Sequence, residues 1–124
     1  MNINQLVGQL TSAWAIAEGY TATHDIPWNQ KNPGDLTAGS RGNWTPNGKM
    51  TYTLHSSGWL DLEDMARTIL TGGSTLYPLT ITFGDMAKKY TGESSWCGWL
   101  RAVCQLLDVQ PTDTIDGWKT KNTK

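Results

Sequence analysis

The chain has 124 residues, the size of a single domain, and a formal net charge of −1 from 10 basic and 11 acidic residues. At this length one hydrophobic core can form without metals or cross-links. The two charge signs are mixed along the chain, which argues against the basic stripe that nucleic-acid binding requires. The sequence also lacks the run of about 20 apolar residues that a membrane span needs, so we expect no membrane insertion.

The first predicted element is an amphipathic helix over residues 3–18. Its apolar residues recur at spacings of three, four and seven, which is the pattern of one buried helix face. They are Ile3, Leu6, Val7, Leu10, Trp14 and Ala17. Gly19 follows and is expected to end the helix in a left-handed conformation. Residues 21–35 contain two prolines and no periodicity, so we expect irregular chain there.

A small sheet and a second helix are predicted next. Pro46-Asn47-Gly48 is a turn signal, and apolar residues alternate with threonines over residues 50–54. This pattern predicts a small antiparallel hairpin or a three-stranded sheet. Ser57 is then expected to cap a helix over residues 58–70.

The last third of the chain is predicted to hold two more helices, over residues 80–90 and 94–108, followed by turns. Cys97 and Cys104 are seven residues apart, which in a helix separates their Cα atoms by about 10 Å. Because a disulfide cannot bridge that distance, we expect two small buried apolar residues, without a disulfide or a metal site.

The order of the elements predicts an α+β fold. A helical body with a small antiparallel sheet at one side would form one domain over residues 1–124. A cleft between the two parts is the expected ligand site.

Glu18 is the residue that this pattern does not explain. Leu10, Trp14 and Glu18 lie on one helix face, so the carboxyl group points where core residues point. Burial and the negative end of the helix dipole both raise the pKa of a carboxyl group. Such a group stays partly protonated near neutral pH and can act as a general acid. The alternatives are a carboxylate that reaches solvent past Trp14, or a structural ion pair with Lys31, Arg41 or Arg101.

A resemblance to a known family supports the catalytic interpretation. The strings "AIAEGY", "NPGDL", "SGWLDLEDMARTIL" and "WLRAVCQLLDVQPTDTI" resemble, in order and spacing, a lysozyme-like family of phage and prophage proteins. That family is similar to soluble lytic transglycosylases, and the resemblance runs from about residue 12 to residue 117. It implies a lysozyme-like fold and cleavage of the β-1,4 bond between N-acetylmuramic acid and N-acetylglucosamine in peptidoglycan. It also implies that Glu18 is the general acid.

Most glycoside hydrolases need a second carboxyl group, and Asp35 is the best candidate. It follows the turn Asn32-Pro33-Gly34, from which it could face Glu18 across a cleft. Relatives can carry Asn at this position, and Asp35 could instead stabilise the turn through hydrogen bonds to the backbone. Asp25 is the second choice, with the start of a turn as its alternative role. Hydrolysis and transglycosylation therefore both remain open.

Several aromatic residues are candidates for binding sugar rings. Trp28 and Trp44 lie in polar segments and suit stacking on a sugar. Tyr20 follows the candidate acid, and Tyr90 is similar in position to a Tyr that lines the site of related transglycosylases; core packing is the alternative for both. The tryptophans on helix faces are predicted to belong to the core. They are Trp14, Trp59, Trp96 and Trp99.

The sequence as a whole predicts a muramidase or lytic transglycosylase of phage or prophage origin. We expect a monomer that acts on peptidoglycan glycan strands without a cofactor or a metal. The first residues show no secretory signal pattern, so we expect synthesis in the cytoplasm and action on the cell wall after release or delivery by a virion. The alternative is a non-catalytic wall-binding or virion structural protein that retains the fold.

Overall fold

The computed structural model describes residues 1–20, 26–92 and 96–123, with the side chains of residues 26 and 27 left out. Six helices and two short strands make up this part of the chain. In chain order they are α1 (Ile3–Ala17), α2 (Ile26–Asn29), β1 (Asn43–Trp44), β2 (Met50–Thr51), α3 (His55–Leu70), α4 (Phe83–Thr91), α5 (Trp96–Leu107) and α6 (Ile115–Asn122). A mostly helical chain with a small antiparallel sheet is an α+β arrangement, as predicted.

Helix α1 forms where the apolar spacing predicts it. The Asn2 side chain accepts a hydrogen bond from the backbone of Gln5, and the Gln5 side chain accepts one from the backbone of Asn2. This reciprocal pair satisfies two backbone donors that the helix itself leaves free. At the other end Gly19 has a φ of +79°, the left-handed conformation that glycine adopts without strain. The predicted end of the helix is therefore confirmed.

Helix α3 begins earlier than predicted. It starts at His55, with Leu54 as an N-cap that provides no side-chain hydrogen bond. The backbone N–H of Ser57 already donates to the Leu54 carbonyl, so Ser57 lies inside the first turn. The prediction that Ser57 caps the helix is wrong, because the helix has already begun at His55, two residues before Ser57.

The last residues of the chain also differ from the prediction. Helix α6 occupies part of the segment predicted to be turns, and the Thr114 side chain caps it by accepting from Gly117 N. Only Ile115 and Trp118 of this helix are buried, which is too few apolar residues for a helical period to be visible in the sequence. Helices α4 and α5 lie close to their predicted positions.

The predicted hairpin is confirmed as two short strands. Strands β1 and β2 pair antiparallel, with Asn43 opposite Thr51 and Trp44 opposite Met50. The alternation does not continue to Leu54, which is exposed. The backbone N–H of Met50 donates to the carbonyl of Leu36 at 2.8 Å, so the hairpin is bonded to the loop that precedes it. Residues 26–29 of the segment predicted to be irregular form the single turn α2.

The hydrophobic core lies where α1 packs against α3 and α5, and α4 packs on α5. Trp14 and Trp99 are buried in it, as predicted, whereas Trp59 and Trp96 are only half-buried against its edge. The two cysteines are free thiols, but Cys97 is exposed and Cys104 half-buried. The prediction that both are buried is therefore wrong: Cys97 faces solvent near the start of α5, and Cys104 packs against the edge of the core without being fully covered. None of the helices in the described part of the chain has both the length and the apolar character needed to cross a bilayer.

Candidate active site

Glu18 is the residue at which α1 ends. It is the C-cap, its backbone N–H donates to the carbonyl of Trp14 at 3.0 Å, and its side chain is largely buried. The helix face that carries Leu10 and Trp14 into the core therefore also brings in the Glu18 carboxyl group, as the spacing predicts. Because an unpaired negative charge is costly in this environment, the carboxyl group is stable only if it pairs with a cation or is protonated.

The surroundings favour the proton. Burial and the negative charge of Asp35 raise the pKa of Glu18 from 4.5 to about 7, while Lys49 and the Trp99 indole N–H lower it in part. Trp99 Nε1 has no partner at standard hydrogen-bond geometry among the described residues, so its effect on the carboxyl is that of a weak donor. Glu18 is therefore about half protonated at neutral pH, as a general acid needs to be.

The ion-pair alternative for Glu18 is not realised among the described residues, where none of the salt bridges includes it. Arg41, one of the three candidate partners, bonds instead to two acids of α3. Its Nη1 donates to Asp61 Oδ1 and to Asp64 Oδ2, each at 2.5 Å. Asp61 is buried and also accepts from the Tyr52 hydroxyl at 2.7 Å, so this cluster fastens the loop before β1 onto α3.

Asp35 lies at the end of the Asn32–Asp35 turn. Its backbone has a φ of +51°, and its N–H donates to the Asn32 carbonyl at 3.0 Å. The Asp35 carboxylate forms a salt bridge of 3.0 Å with Lys49 Nζ, which also donates to the Asp35 carbonyl at 3.2 Å. The charge of Asp35 contributes to the raised pKa of Glu18, so the two carboxyl groups interact electrostatically.

The turn is held in place by a fully buried amide. The Asn32 side chain donates to the carbonyls of Leu36 and Met50, both at 3.0 Å, and accepts from Leu36 N at 2.9 Å. The amide therefore joins the turn that carries Asp35 to strand β2. Three hydrogen bonds from one buried side chain make the turn rigid, since leaving any of these groups unpaired is costly.

Tyr90 is a residue of α4 that is close enough to Glu18 for the two groups to interact electrostatically. Its ring packs edge-on against Trp14 at 4.5 Å between centroids, and lies 6.0 Å from Trp99. Its hydroxyl donates to the carbonyl of Gly34, so α4 is bonded to the turn. Burial, together with the charge of Glu18, raises the pKa of Tyr90 well above its ordinary value. The polar atom of Tyr90 is therefore engaged within the protein, and its role at the carboxyl pair stays a prediction.

Tyr20 and Trp28 lie together in a second aromatic cluster. The Tyr20 ring is 5.2 Å from Trp28, 5.7 Å from His55 and 5.5 Å from Trp59, between centroids. The Tyr20 hydroxyl is hydrogen-bonded to His55 Nδ1. Tyr20 itself is buried, and Trp28 is half-buried, so Trp28 has the more accessible face.

The remaining predicted site residues either stand apart from the carboxyl pair or are undescribed. Trp44 is 66% exposed on β1, a position open to a ligand. Asp25 lies outside the described residues. A groove of about 630 Å³ runs along the outer face of α5, lined in part by Trp96, Leu100 and Arg101, and Glu18 is not among its lining residues. The cleft expected beside Glu18 therefore remains a prediction.

Three residues of the site were not found from the sequence. Asn32 and Lys49 act on Asp35 across the turn and the hairpin, and Trp99 approaches Glu18 from α5. The position of Lys49 directly after the Asn47-Gly48 turn was a possible signal, because a hairpin places its tip beside the segment that precedes it. No group of three metal-ligating side chains occurs among residues 1–20, 26–92 and 96–123.

Comparisons with protein-family models, with curated proteins and with solved structures find no match to this chain.

Proposed function

We propose that this chain cleaves the β-1,4 bond between N-acetylmuramic acid and N-acetylglucosamine in peptidoglycan, with Glu18 as the general acid. The observation that carries the proposal is the contrast between two neighbouring carboxyl groups. Glu18 is half-buried with a pKa of about 7, and Asp35 is paired with Lys49. Two carboxyl groups held in different environments are the usual means of acid-assisted glycoside cleavage.

In the proposed reaction Glu18 donates its proton to the glycosidic oxygen as the bond to the anomeric carbon breaks. The sugar oxygen leaves as a hydroxyl group, and positive charge develops on the anomeric carbon. The Asp35 carboxylate, or a water molecule held beside it, stabilises that charge. The ionised Glu18 then accepts a proton from the attacking water in hydrolysis, or from a hydroxyl group of the same sugar in transglycosylation.

The fold is consistent with this proposal. A helix ends in the proposed acid, a tight turn carries the second carboxylate, and a small hairpin is bonded to that turn. We propose that the fold is lysozyme-like and that Trp28, Trp44, Tyr20 and Tyr90 border the glycan. Exposure favours Trp44 and Trp28 for direct stacking on sugar rings.

The test is the loss of turbidity of a peptidoglycan suspension. We expect wild type to clear it and Glu18→Gln to be slower by at least about 100-fold, because Gln cannot donate the proton. Asp35→Asn is expected to clear the suspension more slowly than wild type, by a factor no larger than that of Glu18→Gln. Glu63→Gln on α3 is the matched control for the change of a half-buried glutamate and is expected to clear at the wild-type rate.

The outcomes separate the candidate functions. Equal clearing by wild type and Glu18→Gln would contradict the role of Glu18. Binding to peptidoglycan without any clearing would contradict catalysis and favour the wall-binding alternative. Mass spectrometry of the released fragments distinguishes the two reactions, since transglycosylation leaves anhydro ends and hydrolysis leaves reducing ends.

A further inference from the structure

Lys49 is bonded to one of the two carboxyl groups, that of Asp35. It lies directly before strand β2 of the hairpin, and its side chain is about one-third exposed. Its Nζ is 3.0 Å from the Asp35 carboxylate and 3.2 Å from the carbonyl oxygen of the same residue. An ammonium group that contacts both the side chain and the backbone of one residue fixes the orientation of that residue more firmly than a single contact does.

We infer that Lys49 is a positioning residue for the proposed reaction, holding the Asp35 carboxylate at a fixed place and orientation beside Glu18. The inference rests on the proposed function and goes beyond it by assigning a role to a residue of the hairpin. Asp35 needs such support because its φ of +51° is unfavourable for a residue with a β-carbon. Without Lys49, the Asp35 carboxylate would be free to rotate toward solvent.

The charges that face Glu18 come from several elements. Asp35 in the turn raises the pKa of Glu18, Lys49 in the hairpin lowers it, and the Trp99 indole N–H of α5 lowers it further. Tyr90 of α4 is a fourth titratable group in contact with the site, and Glu18 and Asp35 both raise its pKa. Lys49 is the one cation in this set, so its removal leaves two acidic groups with no opposite charge between them.

Two effects follow for the reaction. Loss of the Lys49 charge raises the pKa of Glu18 further, because the charge of Asp35 is then no longer offset. Loss of the two contacts also lets Asp35 move, and a small displacement of a group that acts only in the transition state lowers kcat more than it changes KM. A side chain with only a structural role would not produce the first effect.

The experiment is a titration of the Glu18 carboxyl carbon by NMR, combined with the pH dependence of peptidoglycan cleavage. The variants are Lys49→Met, Lys49→Arg and Asp35→Asn, with Lys121→Met on α6 as the matched control. In Lys49→Met we expect the Glu18 midpoint and the alkaline limb of the activity profile to move to higher pH, with kcat lower by about 10-fold and KM changed less than about twofold. Lys49→Arg restores most of kcat, and Asp35→Asn moves the Glu18 midpoint to lower pH.

An unchanged Glu18 midpoint in both Lys49→Met and Asp35→Asn overturns the inference. A loss of kcat in Lys49→Arg as large as in Lys49→Met also overturns it, since Arg can make the same ion pair. Asp35→Asn removes the partner of Lys49 and tests the action of Asp35 on Glu18, on which the inference depends, so an unchanged Glu18 midpoint in this variant overturns it even if Lys49→Met fails to fold. If wild type shows no cleavage, the proposed function fails, while the titration still decides whether Lys49 acts on the carboxyl pair.

Discussion

The surroundings of the Glu18 side chain favour its neutral form more than water does. Burial and the negative charge of Asp35 both oppose ionisation, and Lys49 with Trp99 offsets them only in part. The folded protein therefore binds a proton at Glu18 over a pH range in which the unfolded chain has already released it. A group of this kind makes folding stability depend on pH.

We predict that Glu18→Gln removes this dependence. The pKa of Glu18 is about 7 in the folded protein, and its ordinary value is 4.5. Wild type therefore loses folding stability as the pH rises from 4.5 to 7, whereas below pH 4.5 Glu18 causes no change in stability. The full difference corresponds to about 3 kcal/mol at most. Gln is uncharged at all pH values, so the variant is expected to be more stable than wild type at pH 8 and similar to it at pH 4.

Urea unfolding of both proteins at pH 4 and pH 8 measures this difference. Glu63→Gln provides the control for general effects of removing an acid and should follow wild type at both pH values. A difference between Glu18→Gln and wild type that is the same at pH 4 and pH 8 would show that Glu18 is not held neutral by its surroundings. The combination of higher stability and lost cleavage is the trade-off expected when a buried acid is kept for catalysis.

At the scale of elements, the site depends on how closely α3 approaches the turn that carries Asp35. Gly58 lies in the first turns of α3, facing the backbone just before that turn. A β-carbon at Gly58 would lie 2.1 Å from the Lys31 carbonyl oxygen and 2.8 Å from Pro33 Cδ. Neither neighbour can move easily, because one is backbone and the other is a ring closed onto the backbone.

We therefore predict that Gly58→Ala destabilises the protein by about 1–3 kcal/mol and slows cleavage, because α3 and the turn must separate. Helix propensity alone would predict the opposite, since Ala favours a helix over Gly by about 1 kcal/mol. Gly8→Ala in α1 is the matched control: a β-carbon there meets nothing within 4 Å. Thermal unfolding should show a lower midpoint for Gly58→Ala and a higher one for Gly8→Ala, and a rise in both would contradict the close approach.

At the scale of the whole molecule, local pattern predicted four of the six helices and the hairpin, and missed the contacts that join them. The apolar spacing located α1 and α5, and the same spacing placed Glu18 on the buried face. The contacts of Asn32 with β2 and of Lys49 with Asp35 cross 18 and 14 residues of chain, and no local pattern contains them. The predicted Ser57 cap failed because α3 begins at His55 without a side-chain cap, so the cap signal in the sequence is not used.

Helix α6 is the clearest example of an element that local pattern misses, because tertiary contacts account for its stability. Phe83 N–H donates to the Asp113 carbonyl at 3.0 Å, and Thr82 forms an isolated β-bridge with Thr114. The Phe83 ring then meets Trp118 edge-on at 6.3 Å between centroids. The N-terminal ammonium group donates to the Asn122 carbonyl at 2.6 Å, so α6 also holds the start of α1. These contacts join α6, which has only two buried residues, to the start of α4 and to the N-terminus of the chain.

We predict that Trp118→Ala destabilises the protein by about 3–5 kcal/mol, since it removes a large buried ring that few neighbours can replace. Trp118 is 3% exposed, whereas Trp44 is 66% exposed, so Trp44→Ala is the matched control and should change the free energy of unfolding by less than about 0.5 kcal/mol. Urea unfolding of the two variants at one pH measures both effects. If Trp118→Ala were as mild as Trp44→Ala, α6 would be an appendage; a large loss makes it a structural part of the domain that supports α1 and, through α1, the position of Glu18.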